Sequence, residues 1–376
     1  MRVNNTGYLL SAVIVIVLLG GCFFAEQKVK TTPLTGFSAP FVFGQFTTPQ
    51  DNPLTNEAVA LGRRLFYDVR LSGSNKLACS HCHQQKLAFT DGNKGSMGAS
   101  GKPLAFNAMS LVNLMWGPRH FFWDGRSKSL EEQALMPIEH VDEMDQDLDE
   151  LIDELKAVES YQTLFAKAYG EINKQNIAKA LATFQRTLVS ANSKYDQYLA
   201  GTATLTDIEE QGRKLFVAHP DVKASLRGGN CIDCHSQFLT GGFNTLYDGF
   251  TNNGLDTEDQ LLPGLQAVTG KPEHKGLFKV PTLRNIALTA PYMHDGRFDT
   301  LEQVMDHYNE GIKTSSTLSP LIVEANNIVD GVRVKPSLNL TEPEKKAIIA
   351  FLHTLTDHQF ITNKAFSDPF LEEQKQ

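Results

Sequence analysis

Two stretches carry apolar residues at helical spacing: Leu148, Leu151, Ile152 and Leu155, then Ile177, Leu181, Phe184 and Leu188. Steps of three and four put each set on one side of a helix, so both stretches read as amphipathic helices with one buried face. Thr206-x-x-Glu209 and Thr341-x-x-Glu344 have capping-box spacing. In that arrangement a threonine hydroxyl and a glutamate carboxylate satisfy amides that the first helical turn leaves free. The second box predicts a last helix over 343–356. Period-two alternation is scarce, and loops rich in glycine and proline fill the intervals. The pattern predicts an all-α chain with wide loops.

The N-terminus is patterned differently. Arg2 is followed by an apolar run from Tyr8 to Leu19 and by Gly20-Gly21, which reads as an export signal over residues 1–21. The run is too short, and lacks the basic flank, for a transmembrane helix. Leu19-Gly20-Gly21-Cys22 resembles a bacterial lipobox, which makes Cys22 the lipidated first residue of a periplasmic, membrane-anchored protein. An ordinary signal peptide, or a retained anchor, with an incidental cysteine is the alternative. Residues 22–52 are rich in Thr, Pro, Gly and Phe without helical periodicity and read as a tether and extended lead-in.

An internal duplication sets the domain expectation. Gly62-Arg63-Arg64-Leu65-Phe66 is matched by Gly212-Arg213-Lys214-Leu215-Phe216, and Trp123-Asp124-Gly125-Arg126 by His294-Asp295-Gly296-Arg297. Each of the latter pair leads into an acidic helix start, at Leu130-Glu131-Glu132-Gln133 and Leu301-Glu302-Gln303. Landmarks repeated in one order imply two copies of a module, at a period too long for a solenoid. We place the modules at 53–203 and 204–356, with the tail 357–376 expected to pack back on the first.

The formal net charge of −8 and the acidic run from Asp142 to Glu154 argue against nucleic acid and permit a basic electron-donor protein. Four of the five cysteines fall in Cys79-Ser80-His81-Cys82-His83 and Cys231-Ile232-Asp233-Cys234-His235. Cys-x-x-Cys-His is the attachment pattern of a c-type haem: two thiols add to the porphyrin vinyl groups and the adjoining histidine ligates iron. Two copies, each preceded by the same local sequence, leave little room for a redox Cys-x-x-Cys. The expected fold is therefore two tandem cytochrome c-like domains, each with one covalently attached haem. The second axial position decides function, and the many His, Met and Tyr residues leave its occupant open from spacing alone.

From about Asn52 to Leu355 the chain resembles the bacterial dihaem cytochrome c peroxidases and the related MauG enzymes. The resemblance rests on Phe122-Trp123-Asp124-Gly125-Arg126, on the stretch from Glu131 to Met144, on Lys279-Val280-Pro281-Thr282-Leu283-Arg284-Asn285, and on Pro291-Tyr292-Met293-His294-Asp295-Gly296. It implies that the His83 haem is peroxidatic, with Glu143 as distal acid/base and Gln133 as distal glutamine. It implies that Trp123 relays electrons between the haems, and that Asn107, with Thr289 and Pro291 through their carbonyls, holds a calcium ion. Peroxidases of this kind that need reductive activation carry a blocking histidine after the first haem motif. Here that loop reads Gly95-Ser96-Met97-Gly98-Ala99-Ser100-Gly101-Lys102, with Ala99 at the blocking position, so the first haem is expected to stay open; Met97 is the one nearby alternative. Fourteen residues beyond His294, where the peroxidases place methionine and MauG-type proteins tyrosine, stands Tyr308, the expected distal ligand of the second haem. Met305, His307 or an empty site are the competing readings.

The resemblance implies a periplasmic peroxidase that reduces hydrogen peroxide to water, fed through the second haem by a small cytochrome c or cupredoxin. The alternatives are a MauG-like peroxide-dependent oxidase of a protein or small molecule, and a pure electron-transfer cytochrome with both irons capped. Relatives often dimerise, so a homodimer is a further expectation.

Overall fold

The computed structural model describes residues 29–117, 119–221, 226–239, 249–325 and 336–373. Cys22 and the expected signal segment lie outside these residues. Among them, no helix is long and apolar enough to cross a membrane.

Among the described residues helices dominate, and the one regular sheet is a two-residue antiparallel pair, Phe250–Thr251 against Phe278–Lys279. In each module the opening helix crosses the closing helix at a glycine. Asn56–Tyr67 crosses Lys174–Thr187, and Asp207–Val217 crosses Glu342–His353. A Cβ on Gly62 would stand 1.9 Å from the Ala180 carbonyl oxygen, and one on Gly212 1.8 Å from that of Ala347. No side chain fits there. Four residues on, Phe66 packs on Phe184 with ring centroids 5.2 Å apart, and Phe216 on Phe351 at 5.5 Å. The matched Gly-x-x-Leu-Phe runs are thus one packing device used twice.

The second matched motif also folds identically in both copies. Phe121 N–H donates to the Ser127 carbonyl and Tyr292 N–H to that of Phe298. Inside each turn Phe122 and Gly125, or Met293 and Gly296, take positive φ. Asp124 grips Arg126, and Asp295 grips Arg297, across two residues. Helix starts follow sequence chemistry too: Ser129 accepts from Glu132 N–H, and the Thr341 box closes in both directions. At Thr206, Glu209 accepts the Thr206 N–H.

Two asparagines tie the modules together. Asn113 and Asn285 both adopt the left-handed conformation, and each receives the chain leaving a closing helix. Asn113 N–H donates to the Leu188 carbonyl while its Oδ1 accepts from Ser190 N–H; Asn285 does the same with Leu355 and Asp357. The two sites then meet, since Asn285 Nδ2 donates to Ser190 Oγ and Ser190 Oγ to Asp357. Beside them lies a buried ion pair, Arg284 Nη1 at 2.8 Å from both Asp196 oxygens, roofed by Phe43 of the lead-in. The tail returns to the first core, where Phe360 and Phe366 are buried and Tyr67 donates to the Phe366 carbonyl at 2.6 Å.

The crossing has a measurable consequence. Gly212→Ala forces apart two helices that have no slack, and overpacking of this kind is expected to destabilise by roughly 1–3 kcal/mol or more. Urea unfolding should show it, and a variant as stable as the parent would mean the helices cross elsewhere.

Candidate functional site

Each Cys-x-x-Cys-His motif lines its own cavity. The first is lined by Cys79, Cys82 and His83 and holds about 480 Å³; the second, with Cys231, Cys234 and His235, holds about 170 Å³. All four cysteines are free. Burial pushes the thiols up, to about 12 for Cys79 and Cys231 and about 11 for Cys234. A redox or thiolate-ligating Cys-x-x-Cys needs the opposite shift. Neutral, unbridged thiols on a cavity wall suit addition to a haem vinyl group.

Each motif histidine is oriented by a backbone carbonyl. His83 Nδ1 lies 2.8 Å from the Phe89 carbonyl oxygen, and His235 Nδ1 3.2 Å from that of Pro281. A carbonyl only accepts, so Nδ1 carries the proton and Nε2 keeps its lone pair for a metal. Burial lowers both imidazole pKa values, that of His235 to about 4. Both rings are therefore neutral, as ligation requires.

The helix Leu130–Glu139 and its exit bring Gln133 and Glu143 to the first cavity. Burial raises the Glu143 pKa, against the opposing pull of His140 and Arg126. Gln133 Oε1 is buried without a hydrogen-bond partner, a cost of about 1–3 kcal/mol unless something in the cavity donates to it. The loop from Gly95 is held against Glu143, since Ala99 N–H donates to the Glu143 carbonyl at 2.8 Å. Gly98 permits this approach, its Cβ position lying 1.9 Å from the Asp142 carbonyl oxygen. Ser96 and Gly98 line the cavity. Met97 does not, and it is 52 % exposed.

Trp123 lines both cavities and is 7 % exposed. Its indole N–H donates to the Asn107 carbonyl at 2.8 Å, which fixes the ring in the wall between them. Asn107 turns its amide nitrogen to the Asn93 carbonyl and its backbone N–H to that of His294, three residues past Pro291. Thr289 directs its hydroxyl to the Ile286 carbonyl. Among the described residues no cluster of three or more His, Cys, Asp or Glu is arranged for a metal, and the expected calcium set contains none of these types.

Tyr308 lines the second cavity from a π-helical turn, His307–Gly311, that continues the helix Leu301–Asp306. Such turns swing a side chain out of helical register and recur at functional sites. Burial pushes the phenol up to about 12, while a 3.3 Å hydrogen bond from Asn253 acts the other way. Asn253 also bonds His307 through its carbonyl, at 3.0 Å. Met305 and Met293 line the same cavity, whereas His307 spends its Nε2 on Asn253. The sequence reading missed Asn253, one of the polar residues in the run Thr251-Asn252-Asn253. It also missed the burial of Lys279, although the apolar neighbours Leu277, Phe278 and Val280 were a signal.

Comparison with known proteins agrees with this geometry. Residues 56–204 match the family described as di-haem cytochrome c peroxidase. The chain is 37 % identical over 311 residues to the methylamine utilization protein MauG of Methylorubrum extorquens, covering 82 % of this chain and 80 % of that one. It is 31 % identical over 310 residues to the cytochrome c551 peroxidase of Nitrosomonas europaea, covering 82 % of each. Among solved structures, a MauG-like protein associated with microbial copper homeostasis superposes with a TM-score of 0.77 at 35 % identity, covering 89 % of this chain and 99 % of that one. The dihaem peroxidase BthA of Burkholderia thailandensis shares the fold at a TM-score of 0.66 and 21 % identity, over 90 % and 98 %. The chain belongs to the dihaem cytochrome c peroxidase and MauG family of peroxide-dependent oxidoreductases.

Proposed function

We propose that the chain reduces hydrogen peroxide to water in its first cavity. One haem c would be attached there through Cys79 and Cys82 with His83 as ligand, and a second through Cys231 and Cys234 with His235 as ligand. The observation that carries this reading is convergence: Glu143, the unpartnered Gln133 Oε1 and His83 share one cavity, and Trp123 is a wall common to both. A haem iron held there would supply the position for peroxide and the electrons that its cleavage consumes.

The chain's own residues then have separable tasks. Two protons and two electrons convert one peroxide into two waters. Glu143 takes a proton from one peroxide oxygen and returns it to the other, which makes water rather than hydroxide the leaving group. Gln133 Oε1 accepts from the peroxide O–H and orients it. Trp123, pinned by Asn107, offers electrons a route between the cavities. Asn107, Thr289 and Pro291 are the proposed calcium ligands, an oxygen-only set that suits that ion. We assign the protein to the periplasm, lipid-anchored at Cys22, with a small redox protein as donor.

A second reading, a peroxide-dependent oxidase of a specific protein or small molecule, is favoured by Tyr308. A phenolate is a harder, anionic ligand and stabilises oxidised iron. That suits a second haem which stores oxidising equivalents rather than one that admits electrons at high potential.

Stopped-flow mixing of the fully ferric protein with near-stoichiometric peroxide tests the open first site. A rapid Soret change without pre-reduction is expected, and silence until an electron is added would mean a blocking ligand. Faster recovery with reduced cytochrome c would support the peroxidase; persistence of the oxidised state would support the oxidase. Glu143→Gln should slow the peroxide reaction by about 10²–10⁴-fold. Glu143 must be ionised to accept a proton, and its pKa is raised. The rate should therefore fall with decreasing pH already above the ordinary carboxylate range near 4.3, and the variant should lose that limb. Tyr308→Met should raise the second haem's potential by about 59 mV or more, a tenfold change in the one-electron equilibrium. An unchanged potential on spectroelectrochemical titration would remove Tyr308 from the iron.

A further inference from the structure

Lys279 is 2 % exposed, and it lines both cavities. Its strand pairing with Phe250 and its backbone hydrogen bond to the Trp123 carbonyl, at 2.9 Å, hold it in the wall beside the indole. Its ammonium donates to the His120 carbonyl and lies 4.5 Å from the centroid of the Phe250 ring. Neither partner carries charge. The carboxylate that acts on it, Asp124, is gripped by Arg126 at 3.0 and 3.1 Å. Among the described residues lining the second cavity, Lys279 is the only Lys, Arg, Asp or Glu.

An ammonium buried this far without an anion is unfavourable by several kcal/mol. Burial pulls the Lys279 amine down to about 7, so a carboxylate close by would hold it charged. The group proposed for the cavity brings such carboxylates: haem carries two propionates, and nothing else charged in that lining answers them. The first cavity differs, because Arg126 lines it as well. We propose that Lys279 is the counter-ion of a propionate of the second haem, and that it fixes the haem edge facing Trp123. The inference rests on the reading that a haem occupies the second cavity. Lys279 is a positioning residue, acting through the haem it pairs with.

A fixed cation beside a haem opposes the extra positive charge of ferric iron and so raises the reduction potential. Removing it exposes the propionate charge and stabilises the ferric form. The test is spectroelectrochemical titration of both haems in the holoprotein and in Lys279→Met, Lys279→Gln and Lys279→Arg. In the Met and Gln variants the second haem's ferric form should gain about tenfold over the ferrous, a fall of about 59 mV, with a smaller change at the first haem. Lys279→Arg keeps the charge and should restore most of the parent potential. If Lys279→Met does not retain haem, the Gln and Arg pair decides. An unchanged second-haem potential in Gln, a larger shift at the first haem, or an Arg variant no different from Gln would each overturn the assignment. A parent protein carrying fewer than two haems by pyridine haemochromogen absorbance would instead overturn the haem reading beneath it.

Discussion

Close approach of the opening and closing helices is the constraint on which each module depends. At Gly62 and Gly212 a neighbouring carbonyl oxygen occupies the place of a side chain. The glycine is there because nothing larger fits, at a tolerable loss of helix propensity. Once the crossing is set, the phenylalanine four residues on faces both the closing helix and a cavity: Phe66 lines the first and Phe216 the second. The chain leaving each opening helix is thereby sent past that cavity, and the Cys-x-x-Cys-His motif lies on its return. The Cys-x-x-Cys-His motifs are thus placed by a packing rule that contains no cysteine or histidine.

Burial then decides which groups stay uncharged. Cys79 and Cys231 are held as thiols and His83 and His235 as neutral imidazoles, while Glu143 keeps its proton above the usual range. One cause, removal from water, produces three chemical outcomes, because it disfavours whichever form is charged. Two ion pairs are held by paired contacts. Arg284 and Asp196 are each 2 % exposed and joined by two 2.8 Å contacts, and Glu131 is forked by Arg186 at 2.6 and 2.8 Å. The first sits in the seam, and the second ties the helix Leu130–Glu139 to the closing helix Lys174–Thr187.

Local chemistry was legible in the sequence, and long-range convergence was legible only in part. The haem motifs, the helix faces at Leu148–Leu155 and Ile177–Leu188 and the Thr341 box follow from near neighbours. The duplication could be read because both copies of the Asp-Gly-Arg turn need the same glycine at positive φ and the same Asp–Arg grip. Spacing could not say that Gln133 and Glu143 would meet His83; resemblance supplied that, and the fold brings them to one cavity. Asn113 and Asn285 went unread as a pair. Their role appears only when the closing helices, some 70 residues further on, come back to their amides. Met97, too, could not be placed from sequence, since a methionine in a loop is equally suited to ligate, pack or face solvent.

Asymmetry between the modules comes from a single shared element. In both copies the helix after the Asp-Gly-Arg turn lines the cavity. In the first module it continues to Glu139, and its exit carries Glu143 to the cavity beside Gln133. In the second it stops as an α-helix at Asp306 and widens into the π-helical turn that presents Tyr308. A carboxylate and an amide leave room for a small oxidant and can move a proton; a phenol held by Asn253 can cap a metal. Duplication thus kept the scaffold, and a change in how one helix ends gives the first cavity a carboxylate and an amide and the second a phenol.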